Sequence, residues 1–302
     1  MKWLFQLQKE KKRKTDILDE LSALSRSIQD AYNLAWKVAY VERGLAGRGL
    51  LETYTRERQP VGAQLVRESN REILKHMEVC GALGLLAGTE EEGRQLMGEF
   101  SAPTAAGAER RERLHKALEE KRAEGESIGI AMNQWYDGAG AVYVDDELGP
   151  RPPLMEGGGD DSSFLTKIHI STYPGTRLPH AWLDVPTRRK EISTTDLAGH
   201  GAFCLLTGVG GEAWKSAAQG ITTATGIPIN CYGIGFGLDY HDVYRDWWRN
   251  RGVDEDGCVL VRPDRFVAWR STKMIPDCEG KLLSVLDKIL FRHQIEPSTT
   301  RQ

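Results

Sequence analysis

The sequence predicts an α/β protein, with a largely helical first half and a second half in which strands and helices alternate. Three observations carry this. From Ile17 through Leu21, Leu24, Ile28, Ala31, Ala35 and Val38, apolar residues recur in steps of three and four, the spacing of one helix face. Phe203–Thr207 and Ile227–Tyr232 are short apolar runs of strand length with a helical stretch opening at Glu212 between them. Val259–Val261 and Phe266–Trp269 flank Arg262-Pro263-Asp264-Arg265, the layout of a hairpin.

In order, Lys9–Lys14 is a short basic run, best read as a solvated segment. Thr15 suits a helix N-cap, and one unbroken helix from about Thr15 to Arg43 fits the pattern. Gly44 would end it, because glycine tolerates the left-handed C′ conformation. On that helix Ala31, Leu34, Val38, Val41 and Leu45 form the expected apolar stripe. Asp30 lies where the positive end of a helix dipole favours a carboxylate. Leu50–Cys80 is expected as a helix or helix pair broken at Pro60, and Glu109–Ala123 as a charged helix. Ile128–Met132 and Ala141–Val144 read as short strands around a turn at Asp137-Gly138, and Pro150–Asp161 as a linker. Tyr240–Arg249 and Glu279–Phe291 are expected helices. From Phe203 on, the order is strand, helix, strand, helix, hairpin, helix, which is that of a thioredoxin-like domain.

Composition bounds the function. The 302 residues, 40% hydrophobic and 27% charged, carry a net charge of −3, which gives no reason to expect nucleic acid. No apolar run approaches the roughly 20 residues of a membrane helix. Cys80, Cys204, Cys231, Cys258 and Cys278 form neither C-x-x-C nor a zinc spacing, which points to free thiols in a reducing, cytoplasmic setting.

Several strings together resemble one family. S-I-Q-D-A-Y-N-L-A-W-K (Ser27–Lys37), L-L-E-T-Y-T-R-E-R-Q-P-V-G (Leu50–Gly62), T-Y-P-G-T-R-L-P-H-A-W-L (Thr172–Leu183) and L-V-R-P-D-R-F-V-A-W-R (Leu260–Arg270) resemble the FAD-dependent aromatic hydroxylases of the phenol and 2,4-dichlorophenol monooxygenase type. The resemblance implies the cofactors FAD and NAD(P)H, a phenolic substrate and ring hydroxylation. It places Ser25, Ser27 and Asp30 at flavin-loop positions, with Ala23 and Ser25 standing where the family has glycine and asparagine. Arg265 replaces the glycine usual after the aspartate.

The resemblance maps onto only the C-terminal part of that family. The expected layout is a helical leader over 1–26, distal elements of the FAD and substrate domain over 27–160, a thioredoxin-like domain over 161–294 and a tail over 295–302. The fold class is thus α/β, a helical remnant of a FAD-binding domain followed by a thioredoxin-like domain. An N-terminally truncated chain of this kind is expected to be inactive alone. A homo-oligomer or a partner chain would then cover the exposed helix. The competing reading is a non-catalytic thioredoxin-like interaction module.

Three constellations bear on chemistry. Gly208-Val-Gly210-Gly-Glu-Ala213 fits G-x-G-x-x-A between strand and helix, but no acid ends the next strand at Asn230–Gly233, so a dinucleotide is disfavoured. Gly233-x-Gly235-x-Gly237 reads as a strand-end loop. The third is the thioredoxin-like helix start, Gly208-Val-Gly210-Gly211, which carries no C-x-x-C and has Cys204 inside the strand, so a disulfide oxidoreductase is disfavoured. Outside these, His180 has no nucleophile or metal partner near in sequence and reads as structural.

Overall fold

The computed structural model describes residues 27–125, 128–138, 140–145, 148–149, 151, 167–185 and 191–294. The leader, most of the proline- and glycine-rich linker and the tail lie outside them. The chain divides into two compact units: Met1–Gln59 with Trp135–Gly149 and Ile170–Gln302, and Pro60–Gln134 with Pro150–His169.

In the first unit, helix α1 covers residues 27–42 and closes as expected at Gly44, whose φ is +69°. The amides of Leu45 and Ala46 both return to the Tyr40 carbonyl, satisfying the helix end. The buried face of α1 is not the apolar stripe. Asn33, Trp36, Lys37 and Tyr40, at i, i+3, i+4 and i+7, are buried. Ala31 and Val38 face solvent, Leu34 and Val41 are half-buried, and only Leu45, beyond the helix, is buried. The helix is rotated because Asn33 and Lys37 meet buried acids while Trp36 and Tyr40 meet the Phe203 ring edge-on.

Helix α2, Gly49–Ala82, runs straight through Pro60 instead of breaking there. Pro60 brings no N–H to the helix, but it lies at an exposed position, where that loss costs least. The boundary between the two units nevertheless falls at Gln59/Pro60.

A four-stranded sheet has the order β4-β3-β6-β7, built from β3 (Phe203–Thr207), β4 (Ile229–Gly233), β6 (Cys258–Val261) and β7 (Val267–Ser271). β3 and β4 are parallel, with Leu205 beside Cys231; β3–β6 and β6–β7 are antiparallel. A parallel pair needs a crossover, supplied by the amphipathic helix Glu212–Thr225. That helix packs with the last one, Cys278–Ile289, on one face of the sheet through Trp214, Ala218, Ile221, Leu282, Val285 and Leu286. This is the thioredoxin-like arrangement. A second sheet, β2-β1-β5, joins Glu191–Ser193, Trp182–Asp184 and His241–Asp242.

Two local expectations fail in this unit. Ala141–Val144 forms no strand, since the Ala141 amide donates to a Glu57 carboxylate oxygen (2.7 Å) rather than to a ladder. Tyr240–Arg249 is not one helix. β5 intervenes, and the Asp242 carboxylate accepts from the amides of Trp247 (3.4 Å) and Trp248 (2.8 Å), so the helix covers only Asp246–Asn250.

The second unit is helical. Beside α2 from Pro60 onward it contains α3 (Glu90–Ser101), α4 (Ala105–Gly125) and α5 (Ile128–Met132). The last was expected as a strand, and α3 was not expected at all. Thr89 caps α3 by accepting from the Glu92 amide (3.2 Å), with three glutamates in the first turn.

Candidate functional site

The most concentrated chemistry in the first unit is a buried set of ionised side chains. α1 contributes Asn33 and Lys37, α2 contributes Glu57 and Arg58, and the turn from β6 to β7 contributes Arg262 and Asp264. Arg262 donates Nη1 to Glu57 Oε1 (2.7 Å) and Nη2 to Oε2 (2.8 Å), a bidentate fork, and its Nε to Asp264 Oδ1 (2.9 Å). Lys37 Nζ adds a third donor to Glu57 Oε2 at 2.7 Å. Asn33 Nδ2 bridges the two acids, 2.7 Å from Glu57 Oε2 and 3.0 Å from Asp264 Oδ2. The Arg262 guanidinium lies 5.3 Å from the Trp36 ring centre and 5.0 Å from that of Tyr136, so its faces meet π-systems while its edge meets carboxylates. An outer pair continues the set: Arg58 donates Nη1 to the Tyr136 hydroxyl (3.1 Å) and Nε to Asp30 Oδ1 (2.6 Å).

Burial alone would raise the Glu57 carboxyl, but Arg262, Lys37 and Asn33 hold it down at about 2. Burial lowers Lys37 and the neighbouring Arg262 lowers it further, to about 8, against the pull of Glu57. Burial also works against the Arg262 charge, yet Asp264 and Glu57 more than offset it and raise its pKa. Burial pushes the Tyr136 phenol up to about 12. Glu57, Tyr136 and Arg262 are each held in one protonation state near neutral pH, whereas Lys37 is brought close to it. Together they hold α1 and α2 against the thioredoxin-like sheet.

Of the positions implied by the resemblance, Ser25 lies outside the described residues. Ser27 is exposed on α1, and Asp30, one turn on, is committed to Arg58. Asn33, one turn beyond Asp30, has its buried Oδ1 without a hydrogen-bond partner, as has Trp36 Nε1 on the same helix, but no glycine cradle adjoins Ser27 or Asp30. The glycine-rich loop after β3 is filled by the protein itself. A Cβ on Gly208 would lie 2.5 Å from the Glu255 carbonyl, on Gly210 3.3 Å from Asp256 Cβ, and on Gly211 1.8 Å from Thr207 Oγ1. Those glycines serve internal packing beside an acidic turn, which repels phosphate. Asp239 accepts from the Gly233 amide and from Lys215 Nζ, both at 2.7 Å, closing the second glycine loop. The described residues therefore do not by themselves fit FAD or a dinucleotide.

His180 pairs through Nδ1 with Ser193 Oγ (2.7 Å), the residue that caps the short helix Thr194–Leu197, and stacks edge-on to Trp182. That is a structural position. Cys204 is enclosed in β3, where burial drives its thiol well up, and Cys231 is pushed up to about 12 by the same cause. No group of three or more His, Cys, Asp or Glu among the described residues could hold a metal ion.

Sequence reasoning does not single out Asn33, Lys37, Glu57, Arg262 or Asp264. All five do fall inside three of the family-like strings, Ser27–Lys37, Leu50–Gly62 and Leu260–Arg270, which was the available signal.

Comparison with known proteins agrees with those strings. Residues 171–292 match the family "Aromatic-ring hydroxylase, C-terminal" and residues 24–69 match "FAD binding domain". The chain is 40% identical over 261 residues to phenol 2-monooxygenase of Pseudomonas sp. (strain EST1001), covering 86% of this chain and 41% of that protein. It is 35% identical over 279 residues to 2,4-dichlorophenol 6-monooxygenase of Cupriavidus pinatubonensis, covering 91% of this chain and 44% of the relative. Among solved structures, the flavin-dependent monooxygenase PieE in complex with FAD and substrate superposes with a TM-score of 0.78 at 36% identity, over 90% of this chain and 44% of PieE. Aklavinone-11 hydroxylase with FAD and aklavinone gives 0.57 at 26% identity. The chain spans about two-fifths of the length of these relatives. The strings and the comparisons thus agree: the chain belongs to the FAD-dependent aromatic-ring hydroxylases of the phenol 2-monooxygenase type and corresponds to their C-terminal part.

Proposed function

We propose that this chain serves as the C-terminal part of a cytoplasmic hydroxylase that converts a phenolic ring to its ring-hydroxylated product with FAD, NAD(P)H and dioxygen. In this reading residues 27–160 are the distal part of the FAD and substrate domain, and 161–294 are the thioredoxin-like domain. Its contribution is positional. The observation that carries the reading is the bidentate Glu57–Arg262 pair, which joins the stretch matching a FAD-binding domain to the stretch matching the hydroxylase C-terminal domain. A flavin hydroxylase needs its cofactor oriented over the substrate in a water-poor pocket. Ion pairs fix α1 against the sheet, and in this reading hydroxylation also uses a nucleotide-binding region that these residues do not themselves form.

The test is the visible spectrum of the purified protein, alone and mixed with a polypeptide carrying the N-terminal, nucleotide-binding part of a phenol 2-monooxygenase. The expected result is no visible flavin absorption band for the chain alone. The mixture should acquire that band together with phenol-dependent NAD(P)H oxidation. Stoichiometric flavin on the chain alone would overturn the positional reading, and a mixture without flavin or turnover would overturn the hydroxylase reading.

A further inference from the structure

Lys37 has no part in the hydroxylase chemistry, yet its surroundings are those of an activated amine. Its side chain is 0% exposed, so the ammonium form has lost its water. Burial and the neighbouring Arg262 bring its pKa down to about 8, which supplies neutral amine at mildly alkaline pH. Desolvation and a second cation close by are two routes by which a lysine becomes a nucleophile.

An acceptor for that nucleophile lies one turn back on the same helix. Asn33 and Lys37 are four positions apart, where side chains on a helix meet, and a long side chain points back towards the helix N-terminus. Both converge on one atom: Asn33 Nδ2 and Lys37 Nζ each lie 2.7 Å from Glu57 Oε2. Asp264 Oδ2 also accepts from Nδ2, at 3.0 Å, so two carboxylates fix which way the amide faces. The amide oxygen Oδ1 is buried with no partner. So is Trp36 Nε1, a donor three positions on along the same buried face of α1. An amide carbonyl with no donor committed to it, a desolvated amine and a carboxylate shared by both nitrogens are the parts of a transamidation.

We infer that Lys37 and Asn33 join in an isopeptide bond within α1, with Glu57 carrying the proton between their nitrogens. Neutral Lys37 Nζ attacks Asn33 Cγ; the Nζ–Cγ bond forms while the Cγ–Oδ1 double bond opens to an oxyanion. One proton of the now cationic Nζ passes to Glu57 Oε2 and on to Nδ2, which shares that oxygen. The carbonyl re-forms, the Cγ–Nδ2 bond breaks and ammonia leaves, so nothing is oxidised or reduced. Glu57, held at about 2, is a weak base, which makes the step slow. The product replaces a buried ammonium with a neutral amide, removing the cost of keeping that charge dry, while Glu57 keeps its fork to Arg262. Only the unlinked chain titrates at Lys37. None of this depends on the hydroxylase reading.

Intact-mass spectrometry of the full chain, held folded for days at mildly alkaline pH, tests it. A growing fraction should become lighter by one ammonia. In that fraction trypsin should fail to cut after Lys37, and chymotryptic cleavage after Trp36 should leave the flanking pieces joined. Lys37→Met should keep its full mass, and Glu57→Gln should link at least about tenfold more slowly per folded chain. A parent of unchanged mass overturns the inference. So does an ammonia loss that persists in Lys37→Met or leaves cleavage after Lys37 intact, which is cyclisation of Asn33 on its own backbone. An undiminished rate in Glu57→Gln overturns the role given to Glu57.

Discussion

Arg262 grips both oxygens of Glu57, at 2.7 and 2.8 Å, across 205 positions of sequence, with neither side chain more than 1% exposed. A buried pair of this kind is weak evidence of net stabilisation over an apolar pair, but breaking it from one side is costly, because the remaining charge is left in a dry interior. The following predictions build on that asymmetry and on the packing around it.

Glu57→Gln leaves Lys37 without its carboxylate and Arg262 with Asp264 as its remaining one, and should destabilise the protein by about 3 kcal/mol in urea unfolding. The pH dependence has a definite sign. Glu57 titrates near 2 when folded against 4.5 ordinarily, so its contribution is present above about 4.5 and drains away as pH falls towards 2. The parent should lose stability across that window more steeply than Glu57→Gln. Parallel acid limbs would contradict the assignment.

Lys37→Met should be mild by comparison, within about 1 kcal/mol of the parent at neutral pH, since Glu57 keeps its two-point contact with Arg262. Lys37 titrates near 8 when folded against 10.5 ordinarily. Between those values the unfolded chain binds the extra proton, so the parent should gain stability as pH rises through them, and Lys37→Met should not. Equal slopes for the two proteins would sink this account.

Arg265 occupies the left-handed region at φ +67°, in the position where relatives of this kind are expected to have glycine. A Cβ there costs roughly 1–2 kcal/mol, partly offset by the 3.2 Å bond from its Nε to the Ala198 carbonyl. Arg265→Gly should therefore exceed Arg265→Ala in stability by about 1 kcal/mol, because the two lose the same bond and only alanine keeps the strain. Thermal unfolding of the pair of variants decides it.

Cys204, Cys231 and Cys258 have thiols raised by burial, Cys231 to about 12. Peptide mapping after iodoacetamide treatment at neutral pH should find these three unmodified in the folded protein and alkylated once it is unfolded. Rapid native labelling of Cys204 or Cys231 would revive a redox role for the thioredoxin-like sheet.

The thioredoxin-like half was readable because its central strands β3 and β6 are buried on both faces and its helices have short-range amphipathic patterns. Phe203–Thr207 is the observed β3 residue for residue, and the last helix and the hairpin strands fall within two positions of expectation. The clamp was not readable, for a physical reason. Periodicity arguments assign lysine, asparagine and arginine to the surface, whereas Lys37 and Asn33 are buried against acids supplied by remote segments. A helix face chosen by apolar content alone is then rotated away from the true one. Ala141 failed as a strand in the same way, since its amide answers a carboxylate 84 positions distant. Long-range charge pairing leaves no local signature.

The 205-residue span between Glu57 and Arg262 also sets an order of events during synthesis. At ~5–20 residues per second, Glu57 is made roughly 10–40 s before the arginine that neutralises it. Until the final hairpin is complete, α1 and the first turns of α2 have Lys37 but lack their principal counter-charge. The amino-terminal helices can form early, yet they can be fixed in place only when the last quarter of the chain arrives, so a ribosome that stalls before Arg262 should release a product open to proteolysis at its front end.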